Sequence, residues 1–176
     1  MGWNFDFSQV ISICKLKDIS MIQQIEYELV ELNELSIEEQ NLLSLAFEAT
    51  QDAYAPYSHF QVGCAILLTD GEVSIGNNQE NRAYPSGICA ERTALFHIGA
   101  LGKAADIRTM AIRARSEKFP TSQPITPCGA CRQVMVEFEE RCGKDIVVLM
   151  MGETGKVLKI KGVKKCLLPF SFEMDF

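Results

Sequence analysis

The apolar positions of this chain change period along its length, and each change marks an element. Ile37, Leu42, Leu45, Ala46, Ala49 and Ala53 fall near helical spacing. Ser36 stands in the capping position before them, and Glu39 completes a capping box three residues on. Pro56 cannot continue a helix, so a helix is expected over 36–54. Val62 to Thr69 is then continuously apolar, and Asp70-Gly71 separates it from a second short run, Glu72 to Gly76. Asp-Gly between two such runs predicts a hairpin. Ala90, Ala94, Leu95 and Ile98 predict a helix over 89–99, and Ile107 to Arg115 a strand. A loop with three prolines covers 116–127. Val134, Met135 and Phe138 mark a helix over 128–140, followed by a buried strand at Ile146 to Met151. Only Gly152-Glu153-Thr154-Gly155 leads on to the strand at Val157 to Ile160. So short a link cannot make a parallel crossover, so these last two strands are expected to be antiparallel.

The order predicts an α/β fold: a three-layer α/β/α sandwich around a mixed five-stranded sheet. Ahead of it, Ile25-Glu26-Tyr27-Glu28-Leu29 alternates apolar and charged, the pattern of a half-buried strand. Residues 1–20 carry no strong pattern, and Met21 is either an internal start or part of an extension. No repeat, low-complexity tract or linker divides the chain.

Composition narrows the function classes. With 17 basic and 23 acidic residues the net charge is −6 over 176 residues. That balance disfavours a nucleic acid polymer as partner, since phosphate contacts need clustered cations. No apolar run approaches the roughly 20 residues that a membrane span requires. Met1-Gly2-Trp3-Asn4-Phe5-Asp6 has neither the cationic start nor the apolar core of a signal peptide. A cytoplasmic protein with a small-molecule partner is expected. Seven cysteines are too sparse for a disulfide scaffold, so some are expected to bind metal or do chemistry.

The strongest local feature is Pro127-Cys128-Gly129-Ala130-Cys131 at a predicted helix start. Residues three apart share a helix face, and a helix N-terminus favours the thiolate. By itself this pair reads as a zinc site, a redox dithiol or two structural cysteines. Cys89-Ala90-Glu91 opens the preceding helix, and consecutive helices of an α/β sheet present their starts at one edge. Cys89 is then a third sulfur. Three ligands rather than four leave the open position of a catalytic zinc. Glu91 is the candidate proton carrier, with a plain role beside the helix dipole as the alternative.

These residues carry a resemblance. Cys89-Ala90-Glu91-Arg92 followed by Pro127-Cys128-Gly129-Ala130-Cys131-Arg132-Gln133 resembles the small, homotetrameric, zinc-dependent cytidine deaminases. Tyr54-Ala55-Pro56-Tyr57-Ser58, Phe60-Gln61-Val62-Gly63, Asn78-Gln79-Glu80-Asn81, Tyr84, and Leu167-Leu168-Pro169 with Phe172 follow in the same order. The resemblance implies a catalytic domain over 36–176, with 1–35 an N-terminal extension. It implies one zinc per subunit on Cys89, Cys128 and Cys131, with Glu91 as the acid/base residue. Asn78 and Glu80 match the pair that binds the ribose hydroxyl. Phe60 matches an aromatic beside the nucleoside, and Tyr84 closes the ribose motif. Phe172 matches an aromatic that reaches the base in a neighbouring subunit, which implies a homo-oligomer, by family a tetramer, with shared sites. The implied reaction is hydrolytic deamination of free cytidine and 2′-deoxycytidine, with water activated on zinc.

Two features depart from the family pattern. Arg82 follows the Asn-x-Glu-Asn run where small residues are common, which bears on the subunit contact or on tolerance for a 5′ substituent. Pro85-Ser86-Gly87 also differs from the usual loop. Three thiolates around Zn²⁺ leave one net negative charge, which opposes ionisation of water there. Two helix N-termini offset it, and Arg92 matches a family residue that hydrogen-bonds the thiolates. The same fold also serves deaminases of other cytosine compounds, such as blasticidin S. A non-enzymatic zinc module would need a fourth ligand, from Cys142 or Cys166. Cys14, Cys64, Cys142, Cys166, His59 and His97 are otherwise expected to be structural.

Overall fold

The computed structural model describes residues 23–174. Cys14 and the readings made on 1–20 lie outside them. The strands are β1 (Glu28–Val30), β2 (Phe60–Leu68), β3 (Val73–Asn77), β4 (Ile107–Ser116), β5 (Val147–Met151) and β6 (Val157–Lys161). The helices are α1 (Ile37–Ala49), α2 (Ala90–Ala100), α3 (Gly129–Cys142) and α4 (Val163–Leu167). One mixed sheet runs β1-β6-β5-β4-β2-β3, in which only β4 and β5 are parallel.

Side chains alternate across the sheet, so each strand feeds two cores. Ala65, Leu67, Ala111, Leu149, Met151 and Val157 pack on one face with Leu42, Leu43 and Ala46 of α1. Cys64, Ile66, Met110, Ile112, Val148, Met150 and Ile160 pack on the other with α2, α3 and α4. This is the expected three-layer sandwich. The hairpin at Asp70-Gly71 and the antiparallel β5–β6 pair also form as expected.

Three expectations are corrected. The sheet has six strands, not five, because β1 pairs antiparallel with β6, Leu29 opposite Leu158. Without it, β6 would leave a free edge of unpaired backbone groups. The alternation at 25–29 had marked this strand a few residues early. The first helix ends at Ala49, short of residue 54, and continues only as a 3-10 turn over Thr50–Asp52. The buried Thr50 hydroxyl donates to the Phe47 carbonyl at 2.6 Å, a local bond that competes with the helical ladder. The start is as expected: Ser36 and Glu39 exchange both bonds of a capping box. Finally, α4 was not foreseen. Its first amides, on Val163 and Lys164, donate to the buried Glu139 carboxylate of α3 at 2.7 and 3.0 Å. A side chain 24 residues upstream thus caps the helix.

Two glycines set how closely helices approach the sheet. A Cβ on Gly63 would collide with the Ala46 carbonyl oxygen of α1. A Cβ on Gly76 would stand 2.6 Å from both the Ala90 oxygen and the Ala94 nitrogen of α2. Among the described residues no helix is long and apolar enough to cross a membrane. Because both neighbours of Gly76 are backbone, Gly76→Ala must push α2 off the sheet. We expect a loss of about 2–3 kcal/mol, measured by urea unfolding.

Candidate active site

The strand register brings the relevant segments to one end of the sheet. Phe60 at the start of β2 lies opposite Ser116 at the end of β4, and Gly63 lies opposite Asn77 at the end of β3. Helices α2 and α3 start after those strand ends. Cys89 is the N-cap of α2 and Cys128 the N-cap of α3, both with extended backbone (φ −81°, ψ 156° and φ −66°, ψ 165°). Neither side chain caps its own helix, so both thiols stand at helix starts without bonding the first amides. Cys131 stands three residues into α3. The Sγ atoms of Cys89, Cys128 and Cys131 all lie within 4.8 Å of one another, with Cys131 buried and Cys128 exposed. Three thiol donors at the positive ends of two helices fit one zinc ion with a coordination position left open.

The N-cap geometry also answers a question of spacing. Residues two apart on a helix do not share a face, yet Cys89 is not helical. Glu91, in the first turn of α2, is 4% exposed. Burial is the main cause that pushes its carboxyl up to about 7, and the nearby Cys89 charge adds to it. Cys89 is held down to about 5, chiefly by the Cys131 thiol that hydrogen-bonds it and then by Arg92. Cys131 moves upward for the same reason, since its thiol donates to Cys89. Arg92 places Nη2 3.8 Å from the Cys89 sulfur. Cys142 and Cys166 are occupied elsewhere: Cys142 Sγ donates to the Ile107 carbonyl at 3.1 Å, and Cys166 Sγ to those of Glu26 and Lys161. Neither lies in the group of three. Cys64 is buried in the core.

The segment after β3 is stitched to its surroundings on both sides. Gln79 and Ile88 exchange two backbone bonds of 2.9 Å, which ties this segment to the residue before Cys89. Asn78 Oδ1 accepts from the Val62 amide at 2.7 Å, and its Nδ2 donates to the Phe60 carbonyl at 2.9 Å. Asn78 therefore fixes the start of β2 while each polar atom keeps one further bonding position. The Glu80 carboxylate accepts from the Tyr57 and Ser58 amides at 2.9 and 3.3 Å. Desolvation would raise its pKa, but the Ser58 side chain and these amides outweigh that and hold it below its ordinary value. Tyr57, Ser58, Glu80, Asn81 and Tyr84 line a pocket of about 390 Å³. Tyr84 meets Tyr57 edge-on at 6.1 Å.

So the fold gathers Cys89, Glu91, Arg92, Cys128 and Cys131 in one cluster, sets Asn78, Glu80 and Tyr84 along the connection leading to it, and ties Phe60 at the start of β2 to Asn78. Phe172 is hydrogen-bonded to Gln133 of α3 instead and is 72% exposed. His59 faces Glu117 at 3.4 Å and His97 faces Ser74 at 3.2 Å, both away from the cysteines. Three residues had no assigned role. Phe119 stacks on Phe60 with centroids 6.0 Å apart. Arg132 joins the Pro127 and Leu167 carbonyls, bracing the start of α3 against the end of α4. Gln133 holds the peptide of Phe172. Arg132 and Gln133 were visible in the motif, but their partners lie 35 and 39 residues away, where spacing is silent.

A three-layer α/β/α domain with three thiols and a buried carboxylate at two helix starts defines a zinc-site α/β protein. Comparison specifies it further. The model of the family described as the cytidine and deoxycytidylate deaminase zinc-binding region matches residues 36–150. The cytidine deaminase of Halalkalibacterium halodurans is 41% identical over 139 residues, 79% of this chain and 97% of that protein. That of Sporosarcina psychrophila is 37% identical over 77% of this chain and 92% of its own length. The crystal structure of cytidine deaminase from Burkholderia pseudomallei superposes with a TM-score of 0.67 at 37% identity, covering 78% of this chain and all of that one. The chain belongs to the cytidine and deoxycytidylate deaminase family.

The buried carboxyl has a measurable consequence for the metal-free protein. A carboxyl raised from 4.5 to about 7 binds an extra proton in the folded state between those values. Its contribution to stability is fully present below pH 4.5 and is lost as pH rises through 7. Relative to Glu91→Gln, the metal-free wild type should lose roughly 3 kcal/mol between pH 4.5 and pH 8. Urea unfolding of chelator-treated protein across that range measures it.

Proposed function

We propose that the chain catalyses hydrolytic deamination of free cytidine and 2′-deoxycytidine, giving uridine or deoxyuridine and ammonia, as a step of pyrimidine salvage. The observation that carries this reading is the buried Glu91 beside an open set of three thiols. The identity to proteins named cytidine deaminase supports it.

Cys89, Cys128 and Cys131 would hold zinc. When bound, zinc supplies Lewis-acid activation of water at neutral pH. Glu91 takes a proton from the water that attacks C4 and delivers it to N3 of the ring. It then takes the remaining hydroxyl proton and gives it to the amino nitrogen, which leaves as ammonia while the C4 carbonyl forms. Burial raises the Glu91 carboxyl above its ordinary range in the metal-free chain, in the direction a group that both takes and gives a proton requires. Arg92 offsets negative charge on the Cys89 sulfur and orients it.

Asn78 and Glu80 receive the ribose hydroxyls with their remaining acceptor and donor positions, and Tyr84 walls that side. Phe60 lies beside the nucleoside, with Phe119 stacked on it. Phe172 reaches the base in a neighbouring copy, so the active assembly is a homo-oligomer, by family a tetramer, in the cytoplasm. Residues 36–176 form the catalytic unit and 1–35 extend it. The strand β1 and the buried Leu35 support a role for the last part of that extension in closing the sheet.

Zinc-replete protein mixed with cytidine should lose the ultraviolet absorbance of the cytosine ring. Glu91→Gln should keep its zinc and lose about 10²–10⁴-fold in kcat. Near-normal turnover by that variant would refute the proton-carrier role. Arg92→Ala should bind zinc about 10–100-fold more weakly, read by competition with a chelator.

A further inference from the structure

After α4 the chain from 168 to 174 has no regular structure, so its backbone groups must find partners one at a time. Phe172 finds both of its own on a single side chain. Its N–H donates to Gln133 Oε1 at 2.9 Å, and its carbonyl accepts from Gln133 Nε2 at 2.9 Å. A carboxamide offers a donor and an acceptor side by side, the complement of a peptide N–H and C=O. The next residue, Glu173, reaches Lys164 of α4 at 2.7 Å, but this pair is half exposed and contributes little. The Phe172 backbone is therefore pinned while the residue stays 72% exposed, as does Phe170, two positions earlier, at 94%. A ring held out on irregular chain would otherwise sample many positions, and ordering it costs free energy. Gln133 lies on α3, two residues beyond Cys131, so the helix that carries two of the thiols also fixes the tail.

We propose that Gln133 is a positioning residue for substrate binding: it clamps the Phe172 peptide and so presets the place of the exposed ring relative to α3. The inference rests on the reading above, in which the Phe172 ring meets the base in a neighbouring copy. Gln133 touches no substrate in this arrangement. It acts through Phe172, by removing the ordering cost that binding would otherwise meet.

The test uses the zinc-loaded full chain, with Gln133→Ala and the near-isosteric Gln133→Met, which fills the same space without either bond. Hydrogen exchange at the Phe172 amide should quicken about tenfold or more in both, the loss of two modest hydrogen bonds. KM for cytidine should rise about tenfold while kcat stays within about threefold. In a Phe172→Ala background, Gln133→Met should raise KM no further. An active wild type whose variants keep full protection at Phe172 would overturn the clamp. So would KM effects of Gln133→Met and Phe172→Ala that multiply in the double variant. A wild type without cytidine turnover would instead overturn the functional reading, and the ring's role with it.

Discussion

The structure turns on one electrostatic constraint: three sulfurs lie within 4.8 Å of one another at the sheet's end, with the buried Glu91 carboxyl nearby. Such a cluster repels itself unless positive potential is built around it. The protein supplies that potential from the backbone, by making Cys89 and Cys128 the N-caps of two converging helices. A serine or aspartate at those positions would turn its oxygen back onto its own helix. Cysteine makes no such bond here at either helix start. Arg92 adds a full positive charge in contact with Cys89. The raised carboxyl of Glu91 and the depressed thiol of Cys89 are two results of the same arrangement.

Bringing two helix starts together requires the sheet beneath them to be right. Helix α2 can lie close because Gly76 offers no side chain, and its first turn is then set against β3. Helix α3 is braced at its start by Arg132 and near its end by Glu139, whose carboxylate also caps α4. The long loop before α3 is held in turn by Thr121, which bonds the Ala114 carbonyl and the Glu153 amide. These contacts are backbone-directed, so they fix position more firmly than exposed ion pairs would. The assigned chemistry therefore sits at helix starts, while of the aromatic residues assigned to the substrate Phe60 opens β2, Tyr84 stands in the connection before α2 and Phe172 in the tail.

The division between what was readable and what was not follows from range. Helix starts, the Asp-Gly hairpin and the succession of strands along the chain were legible because capping, turn chemistry and apolar patterning act within a few residues. The sulfur trio was legible because both halves carry the same local sign, a cysteine before a helix. The end of α1 was misread because a buried hydroxyl at Thr50, not Pro56, closes the helix. The sixth strand escaped the count because an edge strand is defined by its partner, and Leu158 lies far along the chain from Leu29.

By itself, then, the sequence determined the layers, the order of elements and the identity of the chemical groups, since those depend on local period and residue type. Tertiary structure alone decided which groups beyond the sulfur trio meet. Glu91 comes beside the sulfurs because Cys89 is extended, not helical, a matter of two backbone angles. Glu139 caps α4, and Gln133 grips Phe172, because packing brought α3 alongside the end of the chain. Hydrogen bonds across 25 to 39 residues leave no periodic trace in a sequence. They form only once the hydrophobic faces have settled where each helix lies.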